Sequence, residues 1–104
     1  MSTIRAKPFP MLMEQSLVGL GARIRGARKA RKLSQQDLAE LADVGVSTLV
    51  SLEAGWHGVS VGNLVKVVAA LDRLEEVDTW LVPSADGVMQ RYLQQKFGTG
   101  SDRG

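Results

Sequence analysis

Covalent chemistry has almost no material to work with in this chain. Cysteine is absent and His57 is the only histidine. A metal site needs several His, Cys or carboxylate ligands at set spacings, and acid–base work needs a base beside a second polar group. Neither catalysis nor a metal or other cofactor is expected. What remains is charge and hydrogen bonding. Gln35 and Gln36 follow directly on Ser34, and Ser47, Thr48 and Ser51 share a short stretch with Val46 and Val50. Carboxamides and hydroxyls donate to and accept from the polar edges of a ligand, while valine methyls add apolar contact. Arg23, Arg25, Lys29, Arg31 and Lys32 stand just upstream as a cluster of cations.

The formal charge of +2 conceals a polarity along the chain. Residues 1–33 hold eight Lys and Arg against the single acid Glu14, a net of +7. Residues 34–59 carry Asp37, Glu40, Asp43 and Glu53 with no Lys or Arg, a net of −4. A cationic end on a small domain points to a polyanion, although the same residues also suit the solvated face of a helix. With 104 residues, 44% hydrophobic and 23% charged, the composition is that of one globular domain rather than a disordered or membrane chain. The apolar run over residues 8–13 is too short for a signal sequence, and Lys66 and Arg73 interrupt the one over 64–74. The expectation is a protein neither secreted nor membrane-spanning, and the lack of cysteine fits a reducing cytoplasm.

Helical period dominates the pattern. Leu17, Leu20, Ile24 and Ala27 fall at i, i+3, i+7 and i+10, with the cations off that stripe. Ser34 with Asp37 three residues on is close to a capping box, and Leu38, Leu41 and Ala42 then form a short apolar face over residues 35–42. Asp43, Val44 and Gly45 break the pattern. A third helix carries Leu49 and Leu52 inward before Ala54 and Gly55 stop it. Ser60 caps a fourth, with Leu64, Val67, Val68 and Leu71 at helical spacing and Asp72 at its end. Leu74, Val77 and Leu81 predict a fifth, ended by Pro83. Strand-like alternation is absent, so the fold class is all-α. The expected organisation is a flexible N-terminal segment over 1–13, a five-helix domain over 14–82 and a tail over 83–104. Met89, Tyr92, Leu93 and Phe97 give that tail the spacing for a further helix.

The stretch "LSQQDLAELADVGVSTLVSLEAG", residues 33–55, resembles the helix-turn-helix of the lambda-repressor-like (Xre-type) transcription regulators. "GARIRGARKARKLSQ" looks like that family's first helix and "SVGNLVKVVAALD" like its fourth, so the likeness covers residues 17–81. Gly45, Asp43 and Ala54 depart from the family's usual residues. The resemblance implies double-stranded DNA as partner, with the second of the paired helices seated in the major groove and the preceding helix across the backbone. Val46, Ser47, Thr48, Val50 and Ser51 would then line the groove side. Gln35, flanked by Gln36, would meet phosphate, and Arg25 with its neighbouring cations would add a nonspecific phosphate contribution. In the family an arginine of the first helix pairs with the glutamate closing the recognition helix, which maps onto Arg28 and Glu53 as a structural ion pair.

Plainer readings stand beside these. Val46 and Val50 share a face and would suit a core, but Leu49 and Leu52 already serve the inward side. Serines are also ordinary surface residues, and glutamines ordinary helix residues. For Trp56 packing over the bundle is favoured, and His57 is left open. One such unit reads about half a turn of duplex, so a homodimer on a palindromic operator is expected, with an interface at Trp80, Leu81 and Tyr92. The run "AALDRLEEVDTWLVP" with its polar tail is also similar to short Xre-type proteins that act as antitoxins of HipA-type kinases and repress their own operon. The rival from another class is a protein-interaction module on the same fold.

Overall fold

The protein is described by a computed structural model covering residues 9–98, and every described regular element is helical. α1 is Phe9–Ala30, α2 Gln35–Ala42, α3 Val46–Glu53, α4 Val61–Ala70 and α5 Gly87–Leu93. Short 3-10 helices at Leu74–Thr79 and Pro83–Ala85 and a π-turn at Gln94–Gly98 complete the set. The fold class is all-α, as the helical period predicts. α1 begins inside the segment read as an N-terminal extension, since residues 9–13 continue its helix; residues 1–8 lie outside the described residues.

The chain divides into two compact units after Leu74. In the first, Ile24, Leu38, Ala39, Ala42, Leu49, Leu52, Val67 and Leu71 form one buried cluster. Leu20, Ala27, Leu33 and Leu64 pack against it. Each helix thus contributes a stripe, and no single helix could bury its own. Leu41 departs from the expected face. It is 63% exposed, and Ala39 takes the inward place, because the face of α2 turned to its neighbours centres on Leu38, Ala39 and Ala42, and Leu41 lies a third of a turn off it.

The turns are set by local chemistry. Ser34 Oγ accepts from the Asp37 amide at 2.9 Å and Asp37 Oδ2 accepts from the Ser34 amide at 3.0 Å, a full capping box. The Ser34 amide first, and then the Ser34 hydroxyl, hold the Asp37 carboxyl below its ordinary range. Asp43 closes α2 in the left-handed conformation, φ 58°, and the Val44 amide returns to the Ala39 carbonyl at 3.0 Å. Gly45, at the N-cap of α3, has no side chain to cap with. Ser60 Oγ caps α4 through the Asn63 amide at 3.1 Å, and Asp72, φ 63°, follows its end.

Across the boundary between the units, the expected fifth helix is a 3-10 helix, Leu74–Thr79. At three residues per turn, positions 74, 77 and 80 align, whereas the α-helical stripe through Leu81 does not. Leu81 leaves the stripe, adopts φ 58° and is 88% exposed. Further on, Asp86 Oδ1 accepts from the Val88 and Met89 amides, both at 3.0 Å, and starts α5. None of the short helices of this segment holds a buried residue.

Candidate nucleic-acid interface

α3 is short enough that its two faces divide cleanly. Leu49 and Leu52 are buried, while Val46 and Val50 are 41% and 44% exposed. Ser47 is exposed, and Thr48 and Ser51 are half-buried at the margins. The outward row is therefore a mix of methyls and hydroxyls over an aliphatic base. Such a row offers a ligand both hydrogen bonds and apolar contact.

The presentation of α3 is fixed at its end. Arg28 donates from Nε to Glu53 Oε2 at 2.7 Å and from Nη2 to Glu53 Oε1 at 2.9 Å. Its Nη1 donates to the Leu33 carbonyl at 2.9 Å. Gln35 Nε2 donates to the same Glu53 Oε1 at 3.1 Å. One carboxylate at the last residue of α3 thus ties together α1 and the first residue of α2. Both charged side chains are almost fully enclosed, at 8% and 4% exposure. Burial pushes the Glu53 carboxyl up, but the Arg28 and Gln35 hydrogen bonds and the charges of Arg28 and Arg25 outweigh it and hold the carboxyl below its ordinary value. The same hydrogen bond raises Arg28. Gly21 permits the close approach that this needs: a Cβ there would lie 2.5 Å from the Glu53 carbonyl oxygen and 2.6 Å from that of Leu52.

Two clefts flank α3. One, of about 440 Å³, is lined by Arg25, Arg28, Ser34, Gln35, Val50, Glu53 and Ala54. The other, of about 330 Å³, is lined by Ser47, Thr48, Ser51, Trp56, Gly58, Val59, Ser60 and Asn63. The first gathers Gln35 and Arg25 beside Val50. Gln36 is exposed on the first turn of α2. The upstream cations differ in their surroundings. Arg25 lines the cleft, Arg31 Nη1 donates back to the Ala27 carbonyl at 2.8 Å, and Arg23 Nη1 lies close to Gly19.

The second cleft was not legible in sequence. Asn63 and Ser60 meet the α3 hydroxyls only because α4 folds back, and the sole local signal was the Ser60 cap. Trp56 is also placed differently from the packed position expected. It is 54% exposed and lies against its own loop, its indole beside Gly58 and tilted 39° against the His57 ring with centroids 4.2 Å apart. The Trp56 amide donates to the Ser51 carbonyl at 2.9 Å and Gly55 packs on Val18, so the loop is held too near α3 and α1 for the indole to turn inward. Among the described residues no cluster of His, Asp or Glu could hold a metal, and no helix is long and apolar enough to cross a membrane.

Comparison with known proteins follows the same residues. The sequence model of the helix-turn-helix family HTH_3 matches residues 24–77. An HTH-type transcriptional regulator of Rickettsia conorii is 43% identical over 54 residues, which are 52% of this chain and 43% of that protein. Another, of Rickettsia prowazekii, is 43% identical over 54 residues, 52% of this chain and 42% of its own length. One of Sinorhizobium fredii is 38% identical over 52 residues, 50% of this chain and 68% of that protein. The chain spans less than half the length of the two Rickettsia relatives. No solved structure matches it significantly. Since the family model covers more than half of the chain and includes the whole of α2, the turn and α3, the protein belongs to the Xre-type helix-turn-helix family.

Proposed function

We propose that the chain binds duplex DNA sequence-specifically and regulates transcription, as a repressor and as a homodimer on a palindromic operator. The observation that carries this reading is the outward row of Val46, Ser47 and Val50 on a helix whose pitch is locked by the Arg28, Gln35 and Glu53 network. A B-DNA major groove, about 12 Å wide, accepts a helix of this kind. Gln35 and Arg25, which line the cleft beside Val50, are the proposed contacts to the neighbouring phosphates. The names of the relatives, all HTH-type transcriptional regulators, support the regulatory role. Trp80, Leu81 and Tyr92, exposed in the second unit, are the proposed dimer contacts. The antitoxin expectation gains no specific observation and is not part of the proposal.

The test is a footprint of the pure protein on DNA upstream of its own gene, with affinity followed against salt. Two protected half-sites about one helical turn apart are expected. With about four to six phosphates neutralised, log affinity falls with a slope of roughly −4 to −5 against log salt. Ser47→Ala costs about 1 kcal/mol or more on the footprinted site and little on random DNA. Equal losses on both DNAs would place Ser47 on the backbone, and salt-independent affinity would remove the phosphate contacts.

A further inference from the structure

The two clefts beside α3 differ in charge. The cleft at Arg25 carries a permanent cation. The one at Asn63 is lined without any ionisable side chain. Over residues 54–65 His57 is the only titratable group. On α3 the only ionisable residue is Glu53, which is tied to Arg28 and Gln35. On α4 it is Lys66, whose Nζ donates to the Asp43 carbonyl at 3.3 Å. On α1, Val18 packs at Gly55, and the nearest charges along that helix are Glu14 and Arg23.

A helix seated in a groove has a sugar–phosphate strand on each side of it. On the DNA-binding reading, one strand would pass the cleft of Arg25 and Gln35. The other would pass the hydroxyls and carboxamide of the second cleft, which Trp56 lines with His57 next to it in the loop. That loop is not slack: the Trp56 amide is bonded to Ser51, and Gly58 lets the indole lie across it, with the His57 imidazole tilted 39° against the indole. An imidazole changes charge between about pH 5 and 8.

We propose that His57 is the cation for the second DNA strand, so that operator affinity is linked to proton uptake. This rests on the DNA-binding reading and adds to it. Neutral His57 offers the phosphate a single hydrogen bond at most, whereas the imidazolium adds a charge-assisted one and displaces a counterion. Binding therefore takes up protons and tightens as pH falls through neutrality, while Arg25 on the opposite flank contributes equally at every pH in that range.

The experiment uses the full chain, a duplex selected by it from a randomised pool, and a scrambled duplex of the same composition. Wild type is expected to bind the selected duplex about tenfold more tightly near pH 6 than near pH 8. The salt slope steepens by about 0.9 per half-site at the lower pH. His57→Gln loses both differences, and His57→Lys shows the tighter affinity and steeper slope at both pH values. His57 is exposed, so circular dichroism and melting temperature serve as folding controls for both variants. Wild-type affinity independent of pH, or a pH dependence that survives in His57→Gln, overturns the proposal and leaves the DNA-binding reading standing. Absence of any preference for the selected duplex at either pH overturns the underlying reading itself.

Discussion

Glu53 carries more of the geometry than any other side chain, because three helices meet at its two oxygens. An enclosed carboxylate that loses its partner keeps the desolvation cost without the attraction. Arg28→Ala and Glu53→Ala should each cost about 3 kcal/mol of stability, and the double variant clearly less than the sum. Denaturant melts of the four proteins measure this coupling, and simple additivity would mean that the two groups do not interact. The pH dependence has a definite sign. The folded Glu53 carboxyl lies below its ordinary value, so the unfolded chain binds more protons and the contribution is complete above the ordinary glutamate range. It is lost as pH falls from about 4.3 through the lower folded value. Melting temperature should drop across that window in wild type and drop less steeply in Glu53→Gln. Equal slopes would remove Glu53 from the acid transition.

At the level of elements, α1 and α3 touch backbone to backbone, and the contact depends on one missing methyl. A Cβ at Gly21 meets main-chain carbonyls that cannot rotate away. Gly21→Ala gains helix propensity of about 1 kcal/mol, but it forces the helices apart and is expected to cost a net 2 kcal/mol or so through overpacking. The displacement also tilts α3, so affinity for the selected DNA should fall by more than the loss of folded protein explains. Gly26 is the internal control. It lies on the same helix with open space where a Cβ would stand, and Gly26→Ala should be neutral or stabilising. A destabilised Gly26→Ala with an unaffected Gly21→Ala would reverse the assignment of the contact.

At the level of the whole molecule, the second unit places Trp80, Leu81, Val88, Tyr92 and Phe97 at the surface. In the proposed homodimer these exposed side chains supply the apolar contact. Leu81 also holds a left-handed conformation, which costs a leucine roughly 1–2 kcal/mol. Trp80→Asp should yield a monomer by sedimentation with helix content unchanged, and affinity for a full palindrome should fall towards that for a half-site. An unchanged dimer would move the interface elsewhere, and global unfolding would make Trp80 a core residue.

Much of the first unit was legible in the chain itself. The Ser34 capping box, the Asp43 break and the aliphatic spacing of Leu49 and Leu52 are local signals, and local hydrogen bonds and helical period alone decide them. The outward row of α3 follows from the same period by elimination. Long-range placement followed other rules. Nothing local distinguishes Ala39 from Leu41, because which side of α2 turns inward depends on where α3 and α4 lie. The same holds for the exposed Trp56 on its loop and for the cleft that Asn63 and Ser47 both line, which requires a helix to return across the bundle. The 3-10 winding of residues 74–79 escaped a pattern read at 3.6 residues per turn. Sequence period determined the helices and their caps; only tertiary packing decided which of their faces meet, because burial is a property of the neighbours as much as of the residue.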